Sequence, residues 1–148
     1  MFKYPLCIAS AIMLFALCLY GQAIEKNQLI EAGPIRSSAA YAEVLLRKTE
    51  LQADLVAVIA DYTDTNPKVL DLRFEIAALD KALEKIYSVR PSDTGKLTLA
   101  LGKLLVKRAG LETDVARLLR TYTNEHREVV RARKRLDTYD AAIREILP

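Results

Sequence analysis

The sequence predicts an all-α protein: two repeated antiparallel helical hairpins packed as a four-helix, coiled-coil-like bundle. Three observations predict it. Apolar residues recur in steps of three and four, and no stretch alternates with period two. Slid by 60 residues, the chain matches itself: 45–86 lies over 105–146 without a gap, with ten identities in forty-two pairs. And 148 residues hold only 5 Gly, 5 Pro and 3 Phe, a poor supply for a turn-dense, aromatic-rich β-sandwich.

The elements follow in chain order. Residues 1–23 read as a signal peptide or an N-terminal anchor. Lys3 supplies one positive charge, residues 5–20 carry none, and Gly21 and Ala23 place small residues where a signal peptidase cuts. Sixteen uncharged residues sit near the lower limit of about 17 for a membrane span, so cleavage is the first reading and an inner-membrane anchor through residues 5–20 the second. The expected destination is outside the cytoplasm, periplasmic or secreted. Cys7 and Cys18 both lie in this segment, so a cleaved chain has neither a disulfide nor a thiolate nucleophile.

Residues 24–36 read as a linker, 37–88 as the first hairpin, 89–96 as a second linker and 97–148 as the second hairpin. In the first, Tyr41, Val44, Leu51, Leu55, Val58 and Tyr62 mark one seam, interrupted by Lys48. Val69, Leu72, Ile76, Leu79, Leu83 and Ile86 mark the next in unbroken 3-4 steps. The second hairpin repeats this with Leu97, Leu101, Leu104, Leu111, Val115, Leu118 and Tyr122, interrupted by Arg108 where Lys48 stood. Its last seam runs Val129, Ala132, Leu136, Tyr139, Ile143 and Ile146. Helices of about 22–28 residues follow. Ser37 or Ser38 can cap the first, and Asn66 the second, with Pro67 at the first helical position, where its missing N–H costs nothing. Residues 90–95 separate the copies. At 123–126 neither Gly nor Pro breaks the chain, so both a turn and a continuous helix are open there.

The tip segment Tyr62-Thr-Asp-Thr-Asn-Pro67-Lys-Val69, followed by Arg73, Ile76 and Leu79, resembles a segment of the periplasmic coiled coil in bacterial polysaccharide chain-length determinant and export proteins, the polysaccharide co-polymerase family. The second copy, from Tyr122-Thr-Asn-Glu-His126 to Val129, resembles it too; Pro67 and His126 each keep half of that family's His-Pro pair. The likeness covers about 25 residues per copy. It implies a helical hairpin of the cell envelope. No G-x-x-x-x-G-K-[ST] loop occurs, so the kinase attached to some of those proteins is not expected.

Chemistry-bearing residues are few. His126, the sole imidazole, has no acid positioned to converge on it and reads as a cap or tip residue. The pairs Asp61/Asp64 and Asp71/Glu75 place carboxylates side by side, but read as solvated helix faces. Asp80 and Asp140 recur at matching positions and read as partners for basic residues on a neighbouring helix. Tyr62 and Tyr122 read as rings closing the hairpin tips. No catalytic, cofactor-binding or metal-ligating set is expected.

Charge is the most informative feature. Residues 37–88 hold 6 Lys+Arg against 9 Asp+Glu, whereas residues 95–148 hold 12 against 7, so the two copies are electrostatically complementary. Arg127, Arg131 and Lys134 step along one stripe of the last helix, with Arg117 and Arg120 on the preceding one. These five are the candidate contacts for an anionic partner, a polysaccharide or a membrane surface. Nucleic acid ranks last, because an exported chain seldom meets it. The leading expectation is a non-enzymatic scaffold or interaction module of the envelope, binding a protein partner or itself through helical seams; the alternative is a binder of anionic ligands.

Overall fold

Apolar seams that recur every three and four residues call for helices, and the structure, a computed structural model, builds them. It describes residues 33–148; the 1–23 segment, both cysteines and residues 24–32 of the first linker lie outside the described residues. Residues 34–148 form one unit. It is all-helical: α1 (Ala39–Ile59), α2 (Pro67–Tyr87), a 3-10 turn (Pro91–Lys96), α3 (Leu99–Leu119) and α4 (Arg127–Ile146), with no strand among the described residues.

Each helix starts at a residue that accepts an otherwise orphaned N–H. Ser38 accepts from the Tyr41 N–H and Asn66 from the Lys68 N–H, with Pro67 opening α2. Thr98 caps α3, accepting from the Leu101 N–H, and His126 caps α4, accepting from the Glu128 N–H. The helices run 21, 21, 21 and 20 residues, shorter than the seam lengths suggested. The physical reason lies in the two tips. Residues 60–66 and 120–126 leave the helix in the same way, with the Tyr62 N–H on Val58 O and Tyr122 on Leu118 O, then Asn66 on Thr63 O and His126 on Thr123 O. Tyr62 and Tyr122 therefore stand in turns and are exposed, while every other seam position is buried or half-buried. Residues 120–126 form a turn despite lacking Gly and Pro.

α1 packs on α2 and α3 on α4, and α3 also packs on both α1 and α2. One buried cluster joins Val44 and Leu51 of α1, Leu79, Leu83 and Ile86 of α2, Leu101 and Leu105 of α3, and Ile143 of α4. Ile35, within the stretch read as linker, lies in the same cluster, with Leu97 and Leu147. At one end α1 and α3 nearly touch. The Ala40 N–H donates to Leu97 O at 3.2 Å, and a Cβ on Gly102 would stand 2.9 Å from the Ala40 Cα.

α3 differs from its counterpart α1 in burying two faces. Besides the seam toward α4, Gly102, Leu105, Ala109 and Thr113 are buried toward the α1–α2 pair. The matching residues of α1, 60 positions earlier, are Ala42, Leu45, Thr49 and Ala53, and all are exposed. Thr113 makes its burial tolerable by donating its hydroxyl to Ala109 O.

Candidate interaction surfaces

The charged residues divide into those that hold helices together and those that face outward. Lys48 and Arg108, the cations that interrupt the two seams, meet Asp80 and Asp140 on the neighbouring helix. Arg108 Nε lies 2.5 Å from Asp140 Oδ1, and Arg108 also holds Glu112 at 2.7 Å. Burial works against the Arg108 charge, but the hydrogen bond to Asp140 and the nearby Glu112 and Asp140 carboxylates outweigh it, and its pKa is raised. Arg47 is raised in the same sense, burial opposing and Glu75 winning.

The tips repeat as well. Arg73 donates to Asp64 at 2.6 Å, and Arg133 donates to Asn124 at 2.6 Å. His126 Nδ1 accepts from the Glu128 N–H at 3.3 Å while its ring stacks on Tyr122 with centroids 4.0 Å apart. That bond requires Nδ1 unprotonated, so the imidazole serves the helix start as the Asn66 carbonyl serves α2. Glu125, beside it, is held below the usual carboxylate range by its own backbone N–H and then by the Thr123 hydroxyl. Thr63 repeats that contact at the matching position with a neutral partner, its hydroxyl pairing with the Thr65 hydroxyl at 3.1 Å.

The five basic residues expected to meet an anionic partner are all exposed, and three of them are ion-paired within the chain. Arg120 binds Asp71 of α2, and Arg117 reaches the same carboxylate at 3.7 Å while also engaging Asp114. These two bind the second helix pair to the first. Arg131 pairs with Glu128 at 3.1 Å, one turn away. Arg127 and Lys134 are exposed and make no ion pair among the described residues. Three of the four paired acids are engaged too: Asp64 by Arg73, Asp71 by Arg117 and Arg120, Glu75 by Arg47; Asp61 makes no ion pair among the described residues.

Two further cations, Lys107 and Arg135, stand outside the five expected contacts. Both line a cleft of about 650 Å3 that Arg47, Asp71 and Glu75 of the first helix pair also line. Arg135 continues into a second cleft with Arg131, Asp114 and Arg117. The repeat carried the signal. Lys107 and Arg135 stand 60 residues after Arg47 and Glu75, which bond at 3.0 Å, so an ion pair in the first copy has become two like charges in the second.

Compared with protein-family models, curated proteins and solved structures, the chain matches none.

Proposed function

We propose that the chain is a non-enzymatic, exported scaffold or interaction module of the bacterial cell envelope. In this reading α1–α2 and α3–α4 are two copies of one antiparallel hairpin, packed together through α3 as a coiled-coil-like four-helix bundle, and residues 1–23 direct it out of the cytoplasm. The observation that carries the reading is where the reactive side chains go. His126 is a helix cap; Asp80 and Asp140 tether the cations of the adjacent helix; Asp71 joins the two helix pairs. Polar residues at matching positions of the two copies thus build the framework. The resemblance of the tips to polysaccharide export proteins supports a place beside glycan export. The test is expression of the full chain in a bacterium. The expected result is a product shortened by residues 1–23, or one held at the inner membrane, protected from added protease until the outer membrane is opened. A full-length chain in the cytoplasmic fraction would overturn it.

A second reading rests on Arg127 and Lys134, which remain outward and unpaired among the described residues. They suit an anionic polysaccharide or lipid head group. Co-sedimentation with anionic but not neutral vesicles, or with an anionic polysaccharide, falling steeply with added salt and abolished in Arg127→Glu/Lys134→Glu, is its expected signature. Binding that persists in the double variant would remove it.

A further inference from the structure

We infer that the chain joins to second copies of itself head to tail, the bare face of α1 on one copy entering the groove between α3 and α4 on the next. This rests on the scaffold reading above and names its partner. The argument is the internal junction of the molecule, which already shows how one helix pair receives the first helix of the next.

Within the chain, α3 lies against both α1 and α2. It presents Gly102, Leu105, Ala109 and Thr113, all buried. What receives it includes Ala40, Val44, Ala78 and Ala82, also buried, and Asp71, which takes Arg117 and Arg120. Both halves of that junction are presented again, 60 residues away and uncovered among the described residues. The inserting stripe recurs on α1 as Ala42, Leu45, Thr49 and Ala53. It widens into a face without charge, on which Leu45 is 39%, Leu46 59% and Val56 67% exposed. Apolar residues so grouped on one helix face are a docking surface rather than scattered surface leucines. The receiving side recurs as Ala100, Leu104, Thr138 and Ala142, each more exposed than its counterpart.

Charge selects the occupant. In the internal junction the receiving helix carries acids, Asp71 and Glu75, and the inserted helix answers with Arg117 and Arg120. At the matching positions of the α3–α4 pair these acids are replaced by Arg131, which pairs with Glu128, and by Arg135, which shares a cleft with Lys107 and with Asp71 and Glu75 themselves. On α1 the two arginines are replaced by Ala57 and Ala60, while Glu50 stands where α3 has Gly110, and Asp54 remains where α3 has Asp114. The receiving side thus turns from acidic to basic, while the inserting helix loses both arginines and carries Asp54 and Glu50, the latter also paired with Arg47, so α1 of a second copy brings carboxylates toward the arginines of the groove. Because the two surfaces differ, the contact is heterologous, and each added copy leaves one free surface of each kind, giving rings or open chains instead of a closed dimer.

The test uses the purified full chain in a non-ionic detergent, with mass followed by sedimentation against concentration. The parent chain is expected to grow beyond a dimer. Leu46→Glu/Val56→Glu, which spoils the face, and Arg131→Glu/Arg135→Glu, which spoils the groove, each weaken association at least tenfold while helical content and melting stay as in the parent. Mixed in equal amounts, the two variants give a heterodimer and nothing larger, since each keeps one intact surface. A parent chain that stays monomeric, variants that associate as the parent does, or a mixture without heterodimer would each overturn the inference. So would a monomeric parent whose melting falls on Leu46→Glu, which would assign the face to residues 1–32 of the same chain. An exported but monomeric chain would sink this inference alone; a cytoplasmic chain that assembles would sink the envelope reading alone.

Discussion

Asn66 and His126 occupy the same place in their copies and do the same work with different chemistry. Each accepts the N–H two residues ahead. His126→Asn should therefore leave stability unchanged or raise it slightly, whereas His126→Ala should cost about 1 kcal/mol, the usual value of a lost cap. Thermal melting of the three proteins checks this. Asp93, in the 3-10 turn, is held below the usual carboxylate range by Lys96 and then by Arg90, with contacts of 3.2 and 2.9 Å. A carboxylate depressed in the folded state contributes fully above its unfolded pKa of about 3.9 and loses that contribution as pH falls through the lowered value. The melting difference between the parent and Asp93→Asn should thus hold steady from pH 7 to near pH 4 and close in stronger acid. A difference that widens on acidification would contradict this assignment.

Among the helices, α1 and α3 approach at a point set by one missing Cβ. An alanine at position 102 would place its Cβ 2.9 Å from the Ala40 Cα and 3.0 Å from the Ala40 carbonyl oxygen, backbone atoms that cannot swing aside. Replacing a helical glycine gains about 1 kcal/mol of propensity, but forcing a packed contact apart costs about 1–3 kcal/mol. Gly102→Ala should be net destabilising, with a lower urea midpoint; a higher midpoint would mean the helices separate freely. Much at this level was legible in the sequence. Val69 to Ile86 gave a seam because strong hydrophobes stand at every step, and Ser38, Asn66 and Pro67 announced helix starts by chemistry alone. Thr98 is less legible as a cap because the turn signals of residues 90–95 precede it. The second face of α3 was missed because Gly102, Ala109 and Thr113 carry little hydrophobic weight singly; their burial follows from a neighbour that no local window contains.

For the molecule as a whole, the shared cluster makes the fold depend on a few central side chains. Leu79 is fully buried among residues of the other helices. Leu79→Asp removes that burial and leaves a carboxylate without a partner, a loss of about 5 kcal/mol that consumes most of an ordinary domain's stability. Circular dichroism should show the helical signal lost at 37 °C; a native melt would refute the seam. The candidate site was less legible than the fold. Arg117 and Arg120 read as outward cations because Asp71, their partner, lies about fifty residues away in sequence, and only the packing of α3 on α2 brings them together.

That packing also has a dynamic consequence. α3 touches all three other helices, whereas α4 packs chiefly on α3 and buries only Val129, Ala132 and Ile143 within its length. Cooperative opening should therefore begin where least apolar area is lost. Amide protons of the last helix should trade for deuterium well before those of the third, and α4 should peel away as a unit while the remaining three stay folded. Equal protection in the two helices would show instead that all four open in one step.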